Sequence, residues 1–276
     1  MRFGILGPLQ ILAPTGPVQP PGCRCRTLLI ALLAHANEVV SIDKLADWIW
    51  PDDPPRSPVN TLHAYVSLLR GALEPQRRPR APSGLLVTRR WGYLLRVTPE
   101  SLDTLHFEQL VERGARALRC GDADRAASLL RTALDLWRGE ALCDVAHLEA
   151  ARGQIASLGE LRLTATVLRI EADIALDRHL EIVPELTRLI IVYPLHERFY
   201  AQLMVALAGS GRRADALAVY DRARAVLGRE LGVPPGPLLR RVRTAITTER
   251  EDPAAVLAFA PRPVDPDLPV RDTLFG

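Results

Sequence analysis

Two adjacent arginines, Arg89 and Arg90, sit between the β-compatible runs LLVT and GYLL. Upstream, Asn60, Thr61, Ala64, Ser67 and Leu68 recur at spacings that put them on one side of a helix, with His63 and Arg70 on its flank. These residue types suit recognition rather than bond-making. Guanidinium groups meet phosphates, and small polar side chains on a helix reach base edges in a major groove. Arg56, His63 and Arg70 are the candidates for backbone contact, and Arg89 and Arg90 for a second contact from the hairpin.

Covalent and metal chemistry find little support. The one lysine, Lys44, lies in SIDKLAD and not in a glycine loop, which excludes a Walker-type nucleotide site. Six His residues show no ligand spacing, and Cys23, Cys25, Cys120 and Cys143 are scattered, with Cys23 and Cys25 too close for a usual zinc knuckle. No nucleophile elbow occurs. Glu171, Asp173, Glu181 and Glu185 read as solvated helix faces. The expectation is a protein that is not an enzyme, with no catalytic residue, metal or cofactor.

Charge locates the interaction. Residues 1–98 hold 11 Arg and Lys44 against 6 acidic residues, a net of +6, whereas residues 99–276 carry −3. A basic segment ahead of an acidic one suggests polyanion binding by the first and a different duty for the second. The longest apolar run, Leu28 to Ala34, is too short to span a bilayer, and no signal peptide is evident, so a cytoplasmic protein with no membrane partner is expected.

The elements that must hold these residues follow from the pattern. RFGILGPLQIL and Val18, around the turn signal Pro14 to Pro17, suggest small antiparallel strands. Arg26 to Asn37 is apolar nearly all round and predicts a buried helix. Ser41 is a cap residue for a helix that Pro51, Pro54 and Pro55 end near Trp50. Ser57-Pro58 starts the next helix, where Val59, Leu62, Val66, Leu69 and Leu73 form the buried stripe. Leu85 to Val97 then predicts a hairpin with Arg89-Arg90-Trp91-Gly92 at its tip, the layout of a winged helix.

Beyond the junction 99–102 the composition turns helical, with helices over Leu105–Arg119, Asp124–Trp137, Val145–Leu176, Leu180–Tyr193, Leu195–Ser210, Arg213–Gly228 and Pro235–Arg250. Asp177-Arg178-His179 and Gly211-Arg212-Arg213 open equivalent helices 34 residues apart, the tetratricopeptide period. Gly121-Asp122-Ala123 opens a third copy, with Ala126 and Ala216 at the same offset. Hairpins of this kind bury their apolar faces only against neighbours, which predicts one helical array. Residues 251–276 are proline-rich and read as a flexible tail.

On SIDKLADWIW, SPVNTLHAYVSLLRGAL and VTRRWGYLL, the first segment resembles the OmpR-type winged helix-turn-helix of SARP-type regulators. GDADRAASLLRTALDLWRG, PLHERFYAQLMVAL, GRRADALAVYDRAR and ELGVPPGPLLRRV resemble the bacterial transcriptional activation domain that follows it in that family. The resemblance implies an α+β winged helix-turn-helix domain over 1–98 and an all-α tetratricopeptide-like domain over 99–250. It further implies an activator of a secondary-metabolite (antibiotic) gene cluster that binds double-stranded DNA at direct repeats near the −35 element. There it would act as two protomers and recruit RNA polymerase holoenzyme. Leu68 departs from the family, which usually has Arg there. Either Leu68 meets a thymine methyl, or specificity has drifted, or binding is weak, and one lost bidentate contact removes about 1–3 kcal/mol of discrimination. The alternative reading is a helical-repeat adaptor whose winged domain no longer binds DNA.

Overall fold

The computed structural model describes residues 1–76, 78, 81–248 and 250–257. It divides into two compact units, Met1–Leu110 with Ala133–Leu163, and Val111–Thr132 with Thr164 onward. The tail beyond residue 257 lies outside the described residues.

The first unit opens with β1 (Arg2–Gly4), β2 (Gln10–Ala13) and β3 (Gly16–Pro17), an antiparallel meander in which Phe3 pairs with Ile11 and Leu12 with Pro17. Helix α1 (Cys23–Ala34) follows, buried from Leu28 through Leu33, as its all-round apolarity requires. Burial also pushes the Cys25 thiol pKa up. Then come β4 (Val40–Ser41), α2 (Ile42–Ile49), α3 (Pro58–Leu73), β5 (Leu86–Arg89) and β6 (Gly92–Leu95). The second sheet runs β4-β6-β5 and is antiparallel throughout.

Local rules account for the helix ends. The Ser41 hydroxyl accepts from the Lys44 amide at 3.2 Å, a cap that satisfies one free N–H. Pro58 holds the first turn of α3, but Ser57 makes no side-chain cap bond, so proline alone sets that start. Leu62, Val66, Leu69 and Leu73 are buried as the periodicity predicts. Val59 is not. It is 43% exposed, in the first turn ahead of the core-facing residues.

The core of this unit draws on residues far beyond the hairpin. Leu142, Val145, Leu148 and Ala151 belong to the same apolar cluster as Leu28, Leu45, Leu69 and Leu95. Polar ties run alongside. The Asp103 carboxylate accepts from the Ile5 and Leu6 amides at 2.9 and 3.0 Å. Asp144 accepts from the Leu9 amide at 2.7 Å and from Arg26 Nε at 2.8 Å. Arg138 donates to the Pro8 carbonyl at 2.7 Å. Residues 143–151 make two short 3-10 turns after Leu142, whose φ is 55°, so the long helix α6 starts at Arg152 and not near Val145.

Helices α4 (Asp103–Arg119), α5 (Ala123–Asp135) and α6 (Arg152–Ala175) contribute residues to both units. The second unit adds α7 (His179–Val192), α8 (Glu197–Gly209), α9 (Arg213–Leu231), α10 (Pro237–Thr248) and α11 (Pro253–Leu257). The repeat shows in its turns. Gly121, Asp177 and Gly211, each at the same place in its copy, all take left-handed φ, of 78°, 56° and 77°. Five residues on, Ala126, Ile182 and Ala216 are all buried. Within the segment read as tail, Pro253–Leu257 is helical, with Val256 and Leu257 buried.

The acidic helix faces expected at residues 171–173 are in fact interior. Asp173 is 1% exposed and accepts from Arg169 at 3.2 Å and Arg178 at 3.1 Å, and it also pairs with Arg131. Glu171, 7% exposed, accepts from Arg198 Nε at 2.6 Å. Charge is tolerated there because guanidinium groups, Arg169 from the same helix and Arg131, Arg178 and Arg198 from other segments, surround it.

Candidate nucleic-acid interface

Helix α3 turns its apolar stripe into the core and leaves Asn60, His63, Ala64, Ser67, Leu68 and Gly71 exposed. These six lie at helical spacing on one continuous face. All but Leu68 and His63 are small, so this side of the helix can approach another surface closely. Leu68 is 50% exposed and makes the one large apolar projection in the middle of that face. Thr61 is half-buried, and its hydroxyl donates to the Ser57 carbonyl at 3.0 Å, which leaves only its acceptor lone pairs for a partner.

The hairpin is fixed to the same helix at two levels. At the first, Arg70 sends Nε and Nη2 to the Leu86 carbonyl at 3.0 and 2.7 Å, and Nη2 to the Thr88 hydroxyl at 2.8 Å. At the second, the Glu74 carboxylate accepts from the Ser83 hydroxyl, from the Gly84 amide at 2.9 Å and from the Leu85 amide at 3.3 Å. Ser83 Oγ in turn accepts from the Leu86 amide at 2.9 Å, so the chain is held where β5 begins. Seven residues before Arg70, on the same flank, the His63 ring meets the edge of Tyr93 with centroids 6.3 Å apart. Burial pushes the Tyr93 phenol pKa up, and the Arg70 charge pulls against it.

Arg70, expected to touch a phosphate, therefore builds the helix–hairpin joint. Sequence spacing put it on the flank of the exposed face. It could not show that the returning strand would claim the guanidinium.

The far side of the hairpin is pinned as well. Val40 pairs with Tyr93 and Ser41 with Gly92, and the Ile42 amide donates to the Trp91 carbonyl at 3.3 Å. A Cβ on Gly92 would lie 1.8 Å from the Val40 carbonyl oxygen, so this close approach of two backbones requires glycine. Arg89 pairs with Gly92, which leaves Arg90 and Trp91 as a two-residue tip. Arg56, Arg89 and Arg90 are all exposed.

Trp91, not among the candidates read from the sequence, is 70% exposed at that tip. The Arg90 guanidinium carbon lies 4.7 Å from its ring centroid. The available signal was its place: a tryptophan in a tight hairpin turn, where small polar residues are usual.

The described residues contain no group of three His, Cys, Asp or Glu placed to hold a metal ion. None of their helices is long and apolar enough to cross a membrane.

Comparison with known proteins agrees with this architecture. Residues 24–95 match the model of the transcriptional regulatory protein C-terminal family, and residues 102–247 that of the bacterial transcriptional activator domain. The chain is 38% identical to regulatory protein DnrI of Streptomyces peucetius, over 92% of its own length and 93% of that protein. It is also 38% identical to transcriptional regulator RedD of Streptomyces coelicolor, over 90% of the chain and 71% of that protein. A solved structure of Mycobacterium tuberculosis EmbR in complex with a low affinity phosphopeptide superposes with a TM-score of 0.86 at 30% identity, covering 93% of this chain and 68% of that one.

Proposed function

This chain belongs to the SARP-type family of transcriptional activators, and from that premise we propose that it switches on an antibiotic or other secondary-metabolite gene cluster by gripping promoter DNA at direct repeats. The observation that carries the reading is one joint. Arg70 of α3 and Glu74 at its C-terminal cap hold the arginine-bearing hairpin along the flank of the exposed helix face, so groove reader and wing are tied directly to each other. Regulators of this family bind DNA and act on RNA polymerase.

In this reading Asn60, Ala64, Ser67 and Leu68 face base edges, with Thr61 at the margin as an acceptor. Arg56 and His63 lie against phosphates, and Arg89 and Arg90 against the adjoining minor groove or its phosphates. Two copies sit side by side on the repeats, and the helical array presented by residues 99–250 recruits the polymerase. The protein works in the cytoplasm.

Leu68 carries the second reading, an adaptor that meets another protein through this face. Footprinting on DNA upstream of the chain's own gene, at two salt concentrations, separates them. The activator protects a pair of repeats, and its affinity falls steeply as salt rises because phosphate binding releases counterions. Absence of protection at low salt would leave the adaptor standing.

A further inference from the structure

We infer that Trp91 is itself a DNA contact: it lays its indole against the deoxyribose walls of the minor groove, between phosphates taken by Arg89 and Arg90. This rests on the DNA-binding reading and names a residue within it.

Three observations lead there. The ring is among the two most exposed large apolar side chains described, at 70%, and it sits at the turn of the hairpin. Its exposed neighbours at the tip are Arg89 and Arg90. A protein partner that buried this indole would also have to bury or pair two cations. A minor groove offers both needs at once, apolar sugar edges within and phosphates along its rims.

Second, the tip is held in place before any partner arrives. The Trp91 carbonyl accepts from the Ile42 amide at 3.3 Å, and Gly92 lies flat against Val40 and Ser41. Little backbone freedom is left to lose on binding, which favours contact made by the residue at the end of the tip.

Third, the Arg90 guanidinium stacks on one face of the indole, 4.7 Å from its centroid. That contact holds the two side chains together and leaves the ring edge and its other face to the partner.

The test compares the full chain with Trp91→Ala, Trp91→Phe and Arg90→Ala on a duplex from upstream of its own gene, with affinity read across a salt series. A cation that meets phosphate contributes about 0.9 to the slope of log affinity against log salt, whereas an apolar contact contributes none. Trp91→Ala should weaken binding roughly tenfold at every salt concentration with the slope unchanged, and Trp91→Phe should restore most of the loss. Arg90→Ala should lower the slope by about 0.9. Trp48 and Trp50 are buried and Trp137 is half-buried, so the solvent-exposed emission comes from Trp91 and should shift blue when DNA is added.

A slope lowered by Trp91→Ala would show that the ring only positions Arg90, and would overturn the inference. Unchanged affinity would overturn it in favour of a protein partner at the tip. If the unaltered chain bound no duplex, the DNA reading would fail together with it. A denaturation curve for each variant confirms that the exposed tip has been altered without loss of the fold.

Discussion

The Arg70 Nη2 and the Thr88 Oγ1 meet at 2.8 Å across the gap between helix α3 and strand β5. With the two bonds from Arg70 to the Leu86 carbonyl, this contact fixes the angle at which the hairpin leaves the helix. Arg70→Met, which keeps the aliphatic stem, should cost about 2 kcal/mol of stability by leaving the Leu86 carbonyl without this donor. Affinity for DNA should fall further than stability alone explains, because the wing loses its bearing. Thr88→Val should cost about 1 kcal/mol or less. Equal DNA affinity for Arg70→Met and the unaltered chain, measured well below the melting transition, would show that the joint does not position the wing.

Gly92→Ala puts a methyl group into the Val40 carbonyl and must break the β4–β6 pairing. Overpacking two backbones in this way should destabilise by about 3 kcal/mol, read as a drop in melting temperature. Hydrogen exchange at Tyr93 and Ser41 should rise ahead of the rest of the fold.

Wing and helix should fail differently. Arg89→Ala with Arg90→Ala should weaken binding to all duplexes alike and lower the salt slope by about 1.8, two phosphate contacts' worth. Asn60→Ala should relax preference at one base step and leave the slope unchanged. An unchanged slope in the double variant would remove the wing from the mechanism.

Residues 1–98 alone should fold poorly. Cutting there removes Asp103, Arg138 and Asp144, which satisfy the Ile5, Leu6 and Leu9 amides and the Pro8 carbonyl. It also removes Leu142, Val145, Leu148 and Ala151 from the core cluster. A fragment ending at residue 163 should melt cooperatively, whereas the 98-residue fragment should show a broad transition and exposed apolar surface. Asp103→Ala in the full chain should cost about 2–4 kcal/mol, since two amides and Arg138 lose their acceptor.

Burial raises the Glu171 pKa above its ordinary 4.5, with the Arg198 charge acting against the shift. The folded state then holds its proton more tightly than the unfolded chain does. Its contribution is fully present below 4.5 and is lost as pH rises through the raised value. Stability should therefore decline with pH in a window that starts at 4.5 and extends upward. Glu171→Gln should flatten that part of the melting-temperature profile, and an identical profile would show that Glu171 titrates normally.

Much of the candidate interface was legible before any coordinates. The three- and four-residue steps of Leu62, Val66, Leu69 and Leu73 dictate which side of α3 is buried, and so which side is free. The prolines end α2, and the run from Leu85 to Val97 forms the hairpin. All of these rest on forces between residues close in the chain. The period of 34 carried as far, because each copy needs the same turn and the same small or apolar residue at its packing point.

What stayed hidden depends on which distant segments meet. No local pattern reveals that the Leu86 carbonyl takes the Arg70 guanidinium, that Leu142 to Ala151 complete the core of the winged unit, or that Arg131 and Arg178 join Arg169 around Asp173. Helical periodicity assigns a face but cannot say what will cover it. By itself the sequence determined the elements and the polarity of their sides; the tertiary structure alone decided which charges remain free for DNA and which are consumed in holding the fold. A charged side chain gains most from a partner that excludes water, and that partner arrives only when remote parts of the chain pack together.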